Sequence, residues 1–256
     1  MSRDLCAIDL NADLGEGFGV YSVGDDEAML DIVSSASVAC GAHAGDPEIM
    51  AKVFATARTR SVNLGAHPGF PDLWGFGRRV IPCSTSEIEH LVAYQIGAAQ
   101  ALATCAGTRI NYVKMHGALA NLTETDEDVA RAVLSAVRAV DRRLAILAIA
   151  FSKLEELGRR SNTRIFTEVF ADRAYLPNGG LVPRSHPGAV LHGIEEIVTR
   201  TERMVDTATI TAIDGSVLAA RADSICVHGD TAQALGIASA LRQQLILRGI
   251  TIRAFA

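Results

Sequence analysis

Four histidines of this chain each close a short apolar run and sit beside glycine: His43 in CGAHAG, His67 in LGAHPG, His116 in KMHGA and His228 in VHGD. Imidazole changes charge near neutral pH and also ligates metals, so groups in such repeated settings suit proton transfer or cation binding. The flanking glycines let backbone approach a bound molecule closely. Carboxylates and cations stand at the ends of the same kind of run. They occur in Asn11-Ala12-Asp13-Leu14-Gly15-Glu16, at Lys114, at Glu168, in Ala171-Asp172-Arg173 and in His228-Gly229-Asp230. The candidate catalytic groups are therefore Asp13, His43, His67, Lys114, His116, Glu168 and His228. Glu16, Arg78, Arg173 and Asp230 are candidates for binding substrate or phosphate.

Two chemistries compete for these residues. Asp13, His43, His67, His116 and His228 could ligate a divalent Zn, Mn or Ni ion, but no pair has a compact ligand spacing such as H-x-x-x-H, so a metal stays open. The other chemistry is metal-free acid–base work by imidazole and carboxylate, supported by cations. Lys114 precedes His116 by two residues and shares its strand face, which points it inward. It could equally be the buried partner of Glu168. Gly77-Arg78-Arg79, after Trp74-Gly75-Phe76, could bind phosphate or carboxylate or be a solvated loop, and Arg173 and Arg184 carry the same ambiguity. His90 lies within the helical IEHLVAYQ and reads as structural; no role follows for His186 or His192. There is no G-x-x-x-x-G-K-[ST], so any ATP is not held by a P-loop, and no G-x-S-x-G elbow.

These groups need elements to position them. The β-type runs are Leu5–Leu10, Ser35–Ala39, Val62–Ala66, Ile110–Met115, Leu144–Ala148, Ile165–Phe170 and Ser224–His228, several of them apolar at consecutive positions as in strands buried on both faces. Helix signals alternate with them. Asp46-Pro47 is an N-cap before a first-turn proline, and Ser84-Thr85-Ser86-Glu87 is a capping box whose helix ends at Gly107. Thr123 starts a helix to about Val140, and Asp230 caps one that stops at Gly249. Thr207–Ile213 and Ser216–Ala220, around Asp214-Gly215, predict an antiparallel hairpin. Gly179-Gly180 and Pro183 to Pro187 mark a long loop, read as an active-site flap rather than a boundary. No linker or repeat divides residues 1–256, so one domain is expected; its repeated β–α units suggest a closed (β/α) barrel or an open doubly wound sheet, and the placing of the polar residues favours the barrel. In a parallel barrel the carboxyl ends of all strands ring one cavity, which gathers the polar groups.

Composition narrows the class. With 49% hydrophobic and only 21% charged residues, the chain reads as one with a large buried core. A formal charge of −5 gives no pull toward nucleic acid. The longest uncharged apolar stretch, near Leu144 to Phe151, is too short for a membrane span, and the amino-terminal residues lack the features of a signal peptide. Five scattered cysteines without a C-x-x-C pair fit reduced thiols, so a cytoplasmic location is expected.

IDLNADLGEGFG, SVACGAHAGDP, LGAHPGFPD, GFGRR, VKMHGAL, EVFADRAY, GGLVPR and ICVHGD, in that order, resemble the LamB/YcsF family from about Ile8 to Arg248. One departure is Ala120 in HGALAN, where the family usually carries tyrosine. The resemblance implies a distorted seven-stranded (β/α) barrel similar to the glycoside hydrolase/deacetylase type. It also implies the role of the A subunit in an ATP-dependent 5-oxoprolinase, in which 5-oxoproline, ATP as co-substrate and water give L-glutamate, ADP and phosphate. The partners implied are the two other 5-oxoprolinase subunits, B and C. On this reading Lys114 and Arg173 face anionic groups, Asp13 or Glu168 orients a histidine, and the histidines move protons. The alternatives are a metal-dependent carbohydrate or amide deacetylase and a non-catalytic subunit that binds 5-oxoproline, since fold alone does not fix function.

Overall fold

The computed structural model describes residues 7–228 and 233–256. Its strands are β1 (Ala7–Leu14), β2 (Ser35–Ala39), β3 (Asn63–His67), β4 (Tyr112–Val113), β5 (Ala145–Ile149), β6 (Arg164–Phe170), β7 (Thr209–Thr211), β8 (Val217–Ala219), β9 (Ser224–Val227) and β10 (Thr251–Ile252). Parallel pairing runs β1–β2–β3–β4–β5–β6–β9 and returns from β9 to β1, which closes a seven-stranded barrel. β10 adds to the amino-terminal end of β1, pairing Thr251 and Ile252 with Ala7 and Ile8. β7 and β8 form the expected antiparallel hairpin outside the barrel.

The helices are α1 (Asp26–Leu30), α2 (Pro47–Thr59), α3 (Thr85–Cys105), α4 (Gly117–Thr125), α5 (Glu127–Val140), α6 (Lys153–Arg160), α7 (Ile194–Thr207) and α8 (Ala234–Leu247). Asp46 caps α2 through the amides of Glu48 and Ile49, and Ser84 and Glu87 form the capping box of α3. The stretch expected to run from Thr123 to Val140 is instead two helices. Asp126 breaks it, accepting from the amides of Asp128 and Val129, whereas the Thr123 hydroxyl is spent on the Ala120 carbonyl. The last helix is described from Ala234; its expected cap, Asp230, lies outside the described residues. No helix among the described residues is long and apolar enough to cross a membrane.

The two faces of the barrel strands do different work. Outward residues such as Leu10, Ala12, Leu14, Val38, Leu64, Ile146, Val169 and Ile225 join the helices in the main hydrophobic core. Inside, the residues are largely polar: Asp9, Asn11, Asp13, Ser35, Ser37, Lys114, Glu168 and Ser224 are all buried. This explains why β1 runs on to Leu14 rather than ending at Leu10. Asn11 and Asp13 continue the inward face while Ala12 and Leu14 pack outward, the period of two that strands impose. β10 is not evident in the sequence because a two-residue edge pairing has no periodicity to see.

The amino-terminal end of the barrel is plugged by a separate apolar cluster. Tyr112, Ala145 and Leu147 pack there with Phe166, Phe255 and Ala256. The Phe255 ring lies 5.0 Å from that of Tyr112 and 4.8 Å from that of Phe166. Only the opposite, carboxyl-terminal end is left for a site. Gly65 makes room for this plug: a Cβ there would fall 2.3 Å from the Tyr112 ring. Gly65→Ala should therefore destabilise the protein by about 1–3 kcal/mol through overpacking, read as a lowered urea midpoint at unchanged slope.

Candidate active site

Lys114 lies between the walls of the barrel, and its backbone N–H continues the ladder of β4 onto Ala66 O. Its ammonium donates to Asp13 Oδ1 at 2.8 Å, Asn11 Oδ1 at 3.1 Å and Cys226 Sγ at 3.2 Å, and lies 2.8 Å from Glu168 Oε1. Asn11 turns its amide nitrogen to Glu168 Oε1 at 2.9 Å and Ser224 Oγ at 2.7 Å, so both of its ends are fixed. One layer deeper, Asp9 accepts from Ser34, Ser35 and Ser224. Burial pushes the Asp9 carboxyl up to about 6 against those hydrogen bonds. For Asp13 burial also raises the pKa, but the adjacent His67 ring and the Lys114 ammonium override it and hold the carboxyl well below its ordinary value. Burial would likewise lower the Lys114 pKa; Asp13, Cys226 and Glu168 raise it well above the usual lysine value instead.

Above this layer three imidazoles meet. His67, at the end of β3, places Nδ1 at 2.8 Å from Lys114 O, and His116, before α4, places Nε2 at 2.8 Å from Phe76 O. A carbonyl only accepts, so each of those nitrogens carries the proton. The remaining nitrogens, His67 Nε2 and His116 Nδ1, face each other at 3.0 Å. Asp13 Oδ2 lies 3.3 Å from His67 Nε2, and Glu16 Oε1 lies 3.5 Å from His116 Nδ1. His43 stacks on His116 with ring centroids 3.6 Å apart. Burial, reinforced by the neighbouring rings, lowers the His43 pKa well below its ordinary value, and burial brings His116 down to about 3. Glu16, His43, His67 and His116 each offer one donor atom within 4.8 Å of the others, a set that could hold a metal ion.

The loop after β3 backs these rings. A Cβ on Gly69 would sit 2.8 Å from His43 Nδ1, and one on Gly77 would sit 2.6 Å from His43 Cβ and 2.8 Å from His116 Cδ2. Phe76 meets both rings edge-on, and Arg78 lies over the Phe76 ring at 4.9 Å. On the same loop Arg79 is paired with Asp72, and Trp74 projects into solvent, 97% exposed.

The opposite wall comes from β9 and the segment after β6. His228 directs Nδ1 to Asp172 at 2.8 Å, while Arg184 donates to His228 Nε2 at 3.0 Å. Arginine cannot accept, so the proton of His228 is on Nδ1. Buried Arg173 donates to Val182 O at 2.7 Å and Ala189 O at 3.3 Å, tying down the long loop. Between the walls lies a cleft of about 490 Å³ lined by Asp13, Glu16, Lys114, His116, Arg173 and His228 among others.

The structure thus brings Asp13, Glu16, His43, His67, Lys114, His116 and Glu168 into one connected cluster, with Arg78, Arg173 and His228 on the same cleft; Asp230 lies outside the described residues. His228 stands apart from the imidazole set, held by Asp172 and Arg184, and Glu16 takes the fourth place there. Asp9, Asn11 and Asp172 are not among the candidates that the sequence singles out. The alternation Asp9-x-Asn11-x-Asp13 is the available signal for the first two. Lys114→Met should cost about 3–5 kcal/mol near neutral pH, because it leaves buried carboxylates unmatched. In the parent protein the depressed Asp13 carboxyl contributes stability above its unfolded pKa and loses it only in acid; in the variant the unmatched Asp13 is protonated more readily, so the penalty should shrink as pH falls. Urea unfolding of both proteins at pH 7.5 and pH 5 checks this.

Comparison with known proteins agrees with the architecture. The chain is 57% identical over 247 residues to the A subunit of 5-oxoprolinase from Gluconobacter oxydans, covering 96% of this chain and 97% of that one. It superposes on the crystal structure of the lactam utilization protein from Thermus thermophilus with a TM-score of 0.92 and 41% identity, over 97% of this chain and 100% of that one. At fold level alone it also matches the catalytic domain of a peptidoglycan N-acetylglucosamine deacetylase from Eubacterium rectale, with a TM-score of 0.53 and 10% identity over 98% of this chain and 89% of that one. The closed seven-stranded barrel therefore shares its fold with that deacetylase domain. Residues 8–256 match the family model as well, and the chain belongs to the LamB/YcsF family.

Proposed function

We propose that this chain is the A subunit of an ATP-dependent 5-oxoprolinase, opening the lactam of 5-oxoproline to L-glutamate in complex with two other subunits. Full-length similarity to a relative bearing that name carries the substrate assignment. The cleft supports it with an acid–base wall facing a cationic one. A five-membered lactam keeps its amine beside its own carbonyl, at an effective molarity that can reach roughly 10⁵ M or more, so opening it is poorly driven. Transfer of the γ-phosphoryl group of ATP to the lactam oxygen releases ADP and turns that carbon into a good electrophile; water adds to it, the C–N bond breaks with the nitrogen taking a proton, and loss of phosphate leaves the carboxylate of glutamate.

Each wall has a part in that sequence. Arg173, with Arg78 and Arg184, holds the substrate carboxylate or the transferred phosphate. Lys114 is already matched to Asp13 and Glu168 and serves to fix Asp13 beside His67. His67 and His116, oriented by backbone carbonyls, shape the wall at which the attacking water is held, and His228, held on Asp172, moves the proton from that water to the leaving nitrogen. Ala120 lines the cleft where the family usually has tyrosine, which leaves more room beside the substrate.

The test is glutamate release from 5-oxoproline by the chain alone and by its assembly with the two partner subunits, with and without ATP. Glutamate should appear only from the ATP-containing assembly, and His67→Ala or His116→Ala should abolish it with folding retained. Near-normal turnover in both variants removes the histidine assignment. No glutamate from any combination of folded, associated proteins overturns the reading.

A further inference from the structure

We propose that Glu16, His43, His67 and His116 form a binding site for one first-row divalent transition-metal ion. With both rings neutral, Lys114 O and Phe76 O fix the protonated nitrogens of His67 and His116, so the two facing nitrogens, 3.0 Å apart, both present lone pairs, and Asp13 Oδ2 lies 3.3 Å from the first of them. Two lone pairs at that distance repel, and a positive centre between them removes the conflict. Donors about 2.1 Å from one ion and about 3.0 Å apart subtend roughly a right angle, as in octahedral or tetragonal coordination.

His43 supplies an independent second observation. It is 1% exposed, and among the described residues neither ring nitrogen has a hydrogen-bond partner. Glu16 Oε1 stands 3.7 Å from its Nε2, close enough for both to reach a common ion and too far to bond each other. A buried imidazole with no partner is costly, and coordination is the interaction its surroundings offer. Gly69 and Gly77 give the rings room without side chains of their own, and the two carbonyls act as the outer shell that orients metal-bound histidines. Three imidazoles and one carboxylate suit Zn, Co(II), Ni or Mn better than Mg or Ca.

The site concerns the chain alone and stands or falls without the lactam assignment. Full-length protein stripped with a chelator is titrated with Co(II), followed by its visible d–d absorption, and then with Zn as competitor. One equivalent of Co(II) should bind, be displaced by Zn, and raise the melting temperature with metal concentration. His43→Ala, His116→Ala and the conservative Glu16→Gln should each weaken binding at least about tenfold, whereas surface His186→Ala should leave it unchanged. Absence of stoichiometric binding by the parent protein, whatever the variants do, overturns the site. So does Co(II) binding that survives all three cluster substitutions.

Discussion

The ammonium of Lys114, enclosed at 2.8 Å from both Asp13 and Glu168, is the contact on which the interior of this barrel depends. Most parallel barrels fill their centre with branched apolar side chains. Here an acid, an amide, serines and a second acid line the same space, where an unmatched polar group is costly, and of their side-chain atoms Glu168 Oε2 alone has no hydrogen-bond partner among the described residues. One cation answers two carboxylates and the Asn11 carbonyl, and Asn11 passes the remaining hydrogen bonds to Glu168 and Ser224. The closed ring of strands holds these groups in register. The groups in turn reward closure, since β1, β4, β6 and β9 each contribute to a single network.

The imidazole layer rests directly on that network. The Lys114 backbone carbonyl sets the tautomer of His67, and the Lys114 side chain holds the acid that faces His67 from below. Apolar packing is displaced to the two ends of the problem: the helices outside, and the Tyr112–Phe166–Phe255 plug at the far mouth. With that mouth shut, everything polar is driven toward the carboxyl-terminal end. The cleft, with its imidazoles on one side and its arginines on the other, is the result.

Much of this was legible in the residues. Glycine-flanked histidines after apolar runs located His43, His67 and His116, because strand ends in a parallel barrel must converge. What stayed hidden was relational. Nothing in the sequence says that Glu16 rather than His228 completes the imidazole set; that follows from where Gly15, with φ of 69°, turns the chain after β1, and from Asp172 and Arg184 claiming His228. Asp126 ending one helix and opening another was equally obscure, since the stretch around it reads as continuously helical. Inward polar residues on β1 looked like the end of a strand because polarity alone does not reveal which face it occupies.

The loop that backs His43 and His116 also carries Trp74, the one tryptophan in the chain. Its indole stands in solvent, two residues from the Phe76 carbonyl that fixes His116 and three from the glycine against which both rings lie. Any shift of that loop on filling the cleft, or on contact with another protein, would move an isolated fluorophore between water and a less polar setting. The molecule thus carries its own optical probe beside its most constrained histidines, with no second indole to obscure the signal.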